Sequence, residues 1–451
     1  MTGVVDVVVV GLGPGGEDVA GRLADAGLEV VGVERDLVGG ECPYWGCIPS
    51  KMMIRAANLL AESRRVPGVA GDTVVRPDYG PVAARIRAEA TDNWDDQVAV
   101  DRFVAKGGLF VRGEARITGP RQVSAAGETL VARRGVVLAT GTAPAVPPVP
   151  GLAGSPYWTN RDAVEAKEPP ASLIVLGGGA IGVELAQVFA RFGTEVTIVE
   201  AADRLLPLEE PEAGSLLAEV LAADGVTVHT GLGASTVGHD GARFTVALNG
   251  CALSAERLLV ATGRRADLAG LGLDVLGVDT SAASVSTDDA MQVTDGLWAV
   301  GDITGRGAFT HMAMYQSAIA AAAILGERPT PAAYHAVPRV TFADPEIGSV
   351  GLTEQQARDQ GLRLRVGTAQ LPSSARGWIH KTGNDGFVKL VEDAERGVLV
   401  GATSAGPAGG EVLGALVLAV HAEIPTGTLR TMIYAYPTFH RAIEDALTAM
   451  A

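Results

Sequence analysis

The chain has 451 residues, room for two or three domains each with its own core. Apolar residues make up 47% and charged residues 20%, as in a globular protein, and the net charge of −16 argues against nucleic acid or an anionic membrane as a partner. Three cysteines are too few for an extracellular disulfide scaffold, and no apolar run reaches the roughly eighteen residues of a membrane span.

The start, "MTGVVDVVVVGLG", is apolar but has no basic leader and carries Asp6, so it reads as a first strand and the protein as cytoplasmic. Residues 7–34, "VVVVGLGPGGEDVAGRLADAGLEVVGVE", then run strand, glycine loop, helix and second strand. Gly11, Gly13 and Gly16 permit a tight turn and close backbone approach, which offers the helix N-terminus to a pyrophosphate. Glu34 ends the second strand, where a carboxylate accepts hydrogen bonds from a ribose.

Next comes "GGECPYWGCIPSK" (39–51), with Cys42 and Cys47 five positions apart. The stretch that follows has helical periodicity. In a regular helix two such residues rise about 7.5 Å and point roughly 140° apart, whereas a disulfide needs its α-carbons within about 7 Å. Pro43 and Gly46 let the chain bend between the cysteines so that the sulfurs can meet. Lys51 lies one turn beyond Cys47 on the same face; its ammonium and the helix N-terminus both favour a thiolate there. Cys47 is therefore the candidate stabilised thiolate and Cys42 the sulfur that attacks a substrate. The bulky "PYW" (43–45) reads either as surface packing or as a reshaped substrate pocket.

Further on, "GVVLATGTAP" (135–144) and "RLLVATGRRA" (257–266) are apolar strands that turn at Ala-Thr-Gly, with Thr140, Gly141 and Gly263 at the turns. The turn-rich "APAVPPVPGLAGSP" (143–156) marks entry to a second glycine-loop unit, "LIVLGGGAIGVELAQVFARFGTEVTIVE" (173–200), with Gly177, Gly179, Gly182 and Glu200. "GLWAVGDITG" (296–305) brings a strand to Gly301 and Asp302, the latter placed to meet a cofactor hydroxyl. Since that strand closes the first fold, the second is inserted into it. The expected layout is α/β, with two Rossmann-like folds over 1–149 plus 276–334 and over 150–275, and a separate domain over 335–451. Cys251 reads as a small apolar filler.

The chain resembles the pyridine nucleotide–disulfide oxidoreductases, the flavoprotein family that includes dihydrolipoamide dehydrogenase, over essentially its whole length. The most specific piece is Cys-x4-Cys-x-Pro-x-Lys, met by Cys42, Cys47, Pro49 and Lys51. The resemblance implies FAD on the first fold, through Gly11, Gly13, Gly16, Glu34, Thr140, Gly141 and Asp302. It implies NAD on the second, through Gly177, Gly179, Gly182 and Glu200. It also implies a flavin-side role for Glu184 paired with Lys51, a place near the flavin ring for "THMAMYQ" (310–316) with His311, and a C-terminal α+β dimerisation domain beginning at "VPRVTFADPEIGSVGLTE" (337–354), hence a homodimer. Electrons then pass between nicotinamide, flavin and a Cys42–Cys47 disulfide, with no metal. Glu200 favours NAD over NADP, an effect that Arg204, four residues on, could soften.

The match breaks at "YAYPTFHRAIEDAL" (434–447). Relatives that reduce disulfides carry His-Pro-x-x-x-Glu here; aligned on Pro437, the histidine position holds Tyr436 and the acid position Arg441. His440 with Asp445 repeats that His-to-acid spacing of five, shifted by four residues; with Pro437 taken as the helix start, His440 stands one turn away, about 6 Å along the axis. A tyrosine hydroxyl is a poor base at neutral pH but a usable proton donor. The reading is thus an NAD(H)-linked dithiol/disulfide oxidoreductase with an unusual small-molecule or carrier-bound thiol substrate. A diaphorase acting on a quinone is the alternative, and a non-catalytic scaffold a third.

Overall fold

The computed structural model describes residues 2–450. They form two compact units. The first combines the residues up to Ser50 with Ala84–Ala145 and Gly263–Tyr334; the second combines Lys51–Ala83, Val146–Thr262 and the residues from His335 onward.

In the first unit, parallel strands lie in the order Leu109–Arg112, Val30–Glu34, Thr2–Val10, Glu128–Leu138 and Leu297–Ala299. This is a doubly wound sheet with its first strand in the middle. Both faces of that strand are covered: Val8 and Val10 join one apolar cluster, Val7 and Val9 another. Burial on both sides explains an unbroken valine run in place of alternation. An antiparallel excursion, Ala115–Gly119 with Gln122–Ala125, adds to the sheet.

The second unit repeats the parallel pattern in four strands, ordered Thr227–His229, Glu195–Val199, Ser172–Leu176 and Arg257–Val260, beside a small antiparallel sheet. Its C-terminal part is a five-stranded antiparallel sheet, ordered Pro338–Thr341, Glu346–Gly351, Val398–Gly406, Phe387–Asp393 and Leu364–Gln370. The helices Gly409–His421 and Ala442–Ala449 bury Leu413, Leu416, Ile443 and Leu447 in one cluster with strand residues Val388 and Leu390. The α/β class with two dinucleotide folds and a C-terminal α+β part holds. Among the described residues no helix is long and apolar enough to cross a membrane.

Three local expectations change. Cys251 is exposed, because it opens the Cys251–Ala255 strand directly after the Asn249-Gly250 turn. Tyr44 and Trp45 are buried, their rings 5.8 Å apart, so they are interior packing in the first unit, not surface. Pro437 does not start a helix: the chain is irregular to Thr438, takes one 3-10 turn over Phe439–Arg441, and becomes α-helical only at Ala442.

Candidate active site

In the first unit the cysteines sit at a helix break. Glu41–Tyr44 is one short helix, Trp45 leaves it at φ −138°, and a second helix, Cys47–Arg65, begins two residues later. A Cβ on Gly46 would lie 3.1 Å from the Glu41 carbonyl and 3.5 Å from Cys42 Cα, so the bend brings backbone close where only glycine fits easily. Both cysteines stand as thiols, Cys42 half-buried and Cys47 exposed. A side-chain hydrogen bond to Cys47, followed by burial, pushes the Cys42 thiol well above its ordinary pKa. Cys47 Sγ lies 3.3 Å from Thr310 Oγ1. Thr310 opens the sixteen-residue Thr310–Leu325 helix, whose positive end therefore faces the sulfurs. His311 is exposed and stacks on Phe309, the rings 5.1 Å apart.

The glycine loops behave as a matched pair. Gly11 has φ +89° and a Cβ there would strike Ala139 O at 2.6 Å; Gly177 has φ +109° and would strike Ala261 O at 2.3 Å. Gly16 and Gly182 lie even closer to the preceding turn, with Cβ positions 1.9 and 2.0 Å from the carbonyls of Gly11 and Gly177. These four are required by packing. Gly13 and Gly179 are not: each caps its helix in extended conformation, and a Cβ would meet nothing nearer than 4.0 Å at Gly13 and nothing within 4 Å at Gly179. Open space at a helix N-terminus is what a pyrophosphate needs, so the residues fit dinucleotide cofactors. The strand-end acids match too. Glu34 accepts N–H groups from Leu12 (2.7 Å) and Asp36 (2.8 Å), and Glu200 from Gly178 (2.6 Å) and Ala202 (2.7 Å). A carboxylate has about four lone-pair positions, so each keeps capacity for a ribose hydroxyl.

Asp302, on the turn after the closing strand, accepts from Thr142 Oγ1 at 3.0 Å. Burial raises its carboxyl above the usual range, opposed by that hydrogen bond and by the Arg264 charge. Arg264 in turn donates to Thr142 Oγ1 (2.9 Å) and to the Thr142 carbonyl (2.6 Å). Gly301 N–H donates to the buried Gln316 side chain at 2.7 Å. Thr142, Arg264, Thr310 and Gln316 lie inside stretches quoted above but carry no individual role there. Each sits one to five residues from a motif position, and only its partner across the fold reveals it.

In the second unit Lys51 Nζ is 3.0 Å from Glu184 Oε2, and it lies 4.6 Å from the centre of the Phe342 ring. Glu184 is buried, and its other oxygen accepts Phe342 N–H at 2.7 Å. Arg204 donates to the carbonyls of Pro207 (2.9 Å) and Glu209 (3.4 Å). At the C-terminal segment, Tyr436 is 69% exposed and lies under the Arg441 guanidinium, 5.4 Å from its ring centre. Arg441 pairs with Glu444 at 2.9 Å. His440 packs beside Tyr434, and among the described residues no hydrogen bond links it to Asp445. A polar cleft of about 250 Å³ opens there, lined by Ser374, Arg376, Pro437, Thr438, Arg441 and Asp445.

Residues 5–318 match the pyridine nucleotide-disulphide oxidoreductase family, and residues 337–447 match the dimerisation domain of those enzymes. The chain belongs to this family. It is 35% identical to dihydrolipoyl dehydrogenase of Chlorobaculum tepidum over 98% of this chain and 96% of that one, and 34% identical to the Mycobacterium leprae enzyme over 98% and 97%. Among solved structures, the HOCl-induced flavoprotein disulfide reductase RclA from Escherichia coli superposes with a TM-score of 0.86 at 26% identity, covering 98% of this chain and 99% of that one. LpdA from Mycobacterium tuberculosis gives 0.86 at 25%, covering 99% and 100%. The protein is thus an FAD-dependent, NAD(H)-linked disulfide oxidoreductase, and its dimerisation domain supports a homodimer.

Proposed function

We propose that this enzyme performs dithiol–disulfide exchange on a substrate other than those whose turnover relies on a His–Glu dyad. The observation that supports the reading is the pairing of Arg441 with Glu444 at 2.9 Å: aligned on Pro437, Arg441 falls at the dyad's acid position and the exposed Tyr436 at the histidine position. In the proposed scheme Gly11, Gly13, Gly16, Glu34, Thr140, Gly141, Asp302 and His311 hold FAD, and Gly177, Gly179, Gly182, Glu200 and Gly263 hold NAD(H). Bound FAD supplies the electron relay between nicotinamide and the cysteine pair. Cys42, once deprotonated, attacks one sulfur of a disulfide substrate; its S–S bond breaks and the first thiol leaves with a proton. Cys47 then displaces the second thiol and closes the Cys42–Cys47 disulfide. Two thiols oxidised balance one disulfide reduced. Tyr436 serves as proton donor to the leaving thiolate, and His440, set beside Tyr434, is the reserve base.

NAD preference fits the second loop. Glu200 would repel a 2′-phosphate, and Arg204 is held by backbone carbonyls instead of facing one. Anaerobic titration with NADH tests the scheme. We expect a long-wavelength absorbance from the Cys47 thiolate beside the flavin, lost in Cys47→Ser. Flavin bleaching with no such band would overturn it in favour of direct transfer to a quinone-like acceptor.

A further inference from the structure

Two helices that meet in the second unit carry polar residues at matching intervals. The helix beginning at Cys47 presents Lys51, Asn58 and Arg65, seven residues apart, and the Ala180–Arg191 helix presents Glu184, Gln187 and Arg191, three and four apart. Both spacings keep side chains on one helix face. They meet as rungs of a ladder. Lys51 Nζ reaches Glu184 at 3.0 Å; Arg191 Nη1 donates to Asn58 Oδ1 at 2.7 Å; Arg65 and Arg191 both donate to Asp344 Oδ2, at 2.8 and 2.9 Å.

The far side of the ladder grips the turn that follows the Pro338–Thr341 strand. Gln187 clamps Asp344 from both ends of its amide, Oε1 accepting the Asp344 N–H (2.8 Å) and Nε2 donating to its carbonyl (2.9 Å). Arg191, 1% exposed, also donates to Asp224, and its own carbonyl accepts from Arg64. Phe342 is two residues before the clamped aspartate. Its N–H holds Glu184 and its ring lies under Lys51. So the position of the Lys51 ammonium depends on where residue 342 is fixed, and the ladder fixes it.

An exposed Lys–Glu pair is weak and samples many geometries. Burying Glu184 and using both of its oxygens removes that freedom, and the guanidinium of Arg191 is satisfied on every side, as a buried charge requires. We propose that Asn58, Gln187 and Arg191 are positioning residues: through the 342–344 turn they hold the Lys51–Glu184 pair, and thereby set how strongly Lys51 stabilises the Cys47 thiolate four residues back along its helix. This rests on the reading of Cys47 given above.

The test uses the flavin-loaded protein and four substitutions, and the readout is long-wavelength thiolate absorbance per bound flavin after NADH reduction. Lys51→Met must diminish the band; if it does not, the assignment of Lys51 to the thiolate fails, and the ladder's role with it. With that control in place, Asn58→Leu, which removes the acceptor but keeps the volume, is expected to lower the band about threefold, the effect of half a pKa unit. Asn58→Asp, which keeps the acceptor, should restore it. Arg65→Gln, which is half-buried and milder, should act in the same direction if Asn58→Leu fails to fold. A lower melting temperature in the leucine or glutamine variant with an unchanged band would show a purely structural ladder and overturn the proposal.

Discussion

At Cys42, a hydrogen bond to Cys47 and partial burial both oppose the thiolate. Because alkylation requires the thiolate, modification of Cys42 by iodoacetamide in the reduced protein should accelerate as pH rises through and above the ordinary thiol range. Removing the larger cause, in Cys47→Ala, should lower the Cys42 pKa and speed its alkylation several-fold at a fixed pH. Fragmentation of the tryptic peptide 36–51, which carries both cysteines, locates the label, and a Cys42 rate that does not rise with pH would contradict this. The dyad position is the other single-residue question. Tyr436→His with Arg441→Glu rebuilds the relatives' pattern, and a positioned general base is worth roughly 10²–10⁴-fold. Lipoamide turnover should rise by about that factor while flavin reduction by NADH stays unchanged; no gain would mean that something other than the missing dyad limits this chain.

The two glycine loops separate conformational need from ligand need. Gly16 and Gly182 are fixed by backbone carbonyls within 2.0 Å of any added Cβ, whereas Gly13 and Gly179 are free to carry a side chain. Aspartate is a favoured N-cap, so Gly179→Asp should keep the melting temperature within a degree or two of wild type. The same carboxylate repels a pyrophosphate. At about 4 Å the repulsion is roughly 1 kcal/mol even in water and larger in a cleft, so the KM for NADH should rise about tenfold or more. An unchanged KM would remove the pyrophosphate from that helix end. The break between Glu41–Tyr44 and Cys47–Arg65 makes the companion point, since a continuous helix would hold the two sulfurs apart.

Over the whole molecule, the net charge of −16 means self-repulsion in any compact state. Raising sodium chloride from 10 to 200 mM shortens the Debye length from about 30 Å to below 10 Å, so the melting temperature should climb by a few degrees. A fall would show that ion pairs such as Lys389 with Glu210, Glu212 and Glu354 outweigh the repulsion. Features that depend on local order along the chain are legible in the sequence. Strand, glycine turn, helix and acid lie within thirty residues of one another, so the glycine-loop unit that opens each dinucleotide fold is legible there, as is the bend at Cys42–Cys47. The tertiary structure alone decided the rest. Thr142 meets Arg264 across 122 residues, and Thr310 meets Cys47 across 263. The Lys51–Glu184 pair was inferred by likeness, but the Arg191 ladder behind it spans 153 residues to Asp344 and has no short-range signature. The helix expected at Pro437 starts at Ala442 for the same reason: proline suits a helix start but equally an irregular turn, and packing of Ile443 and Leu447 against the sheet sets the start. Local patterns specify elements because their hydrogen bonds close within a few residues. Which side chains meet at a site is settled by the burial of distant apolar faces.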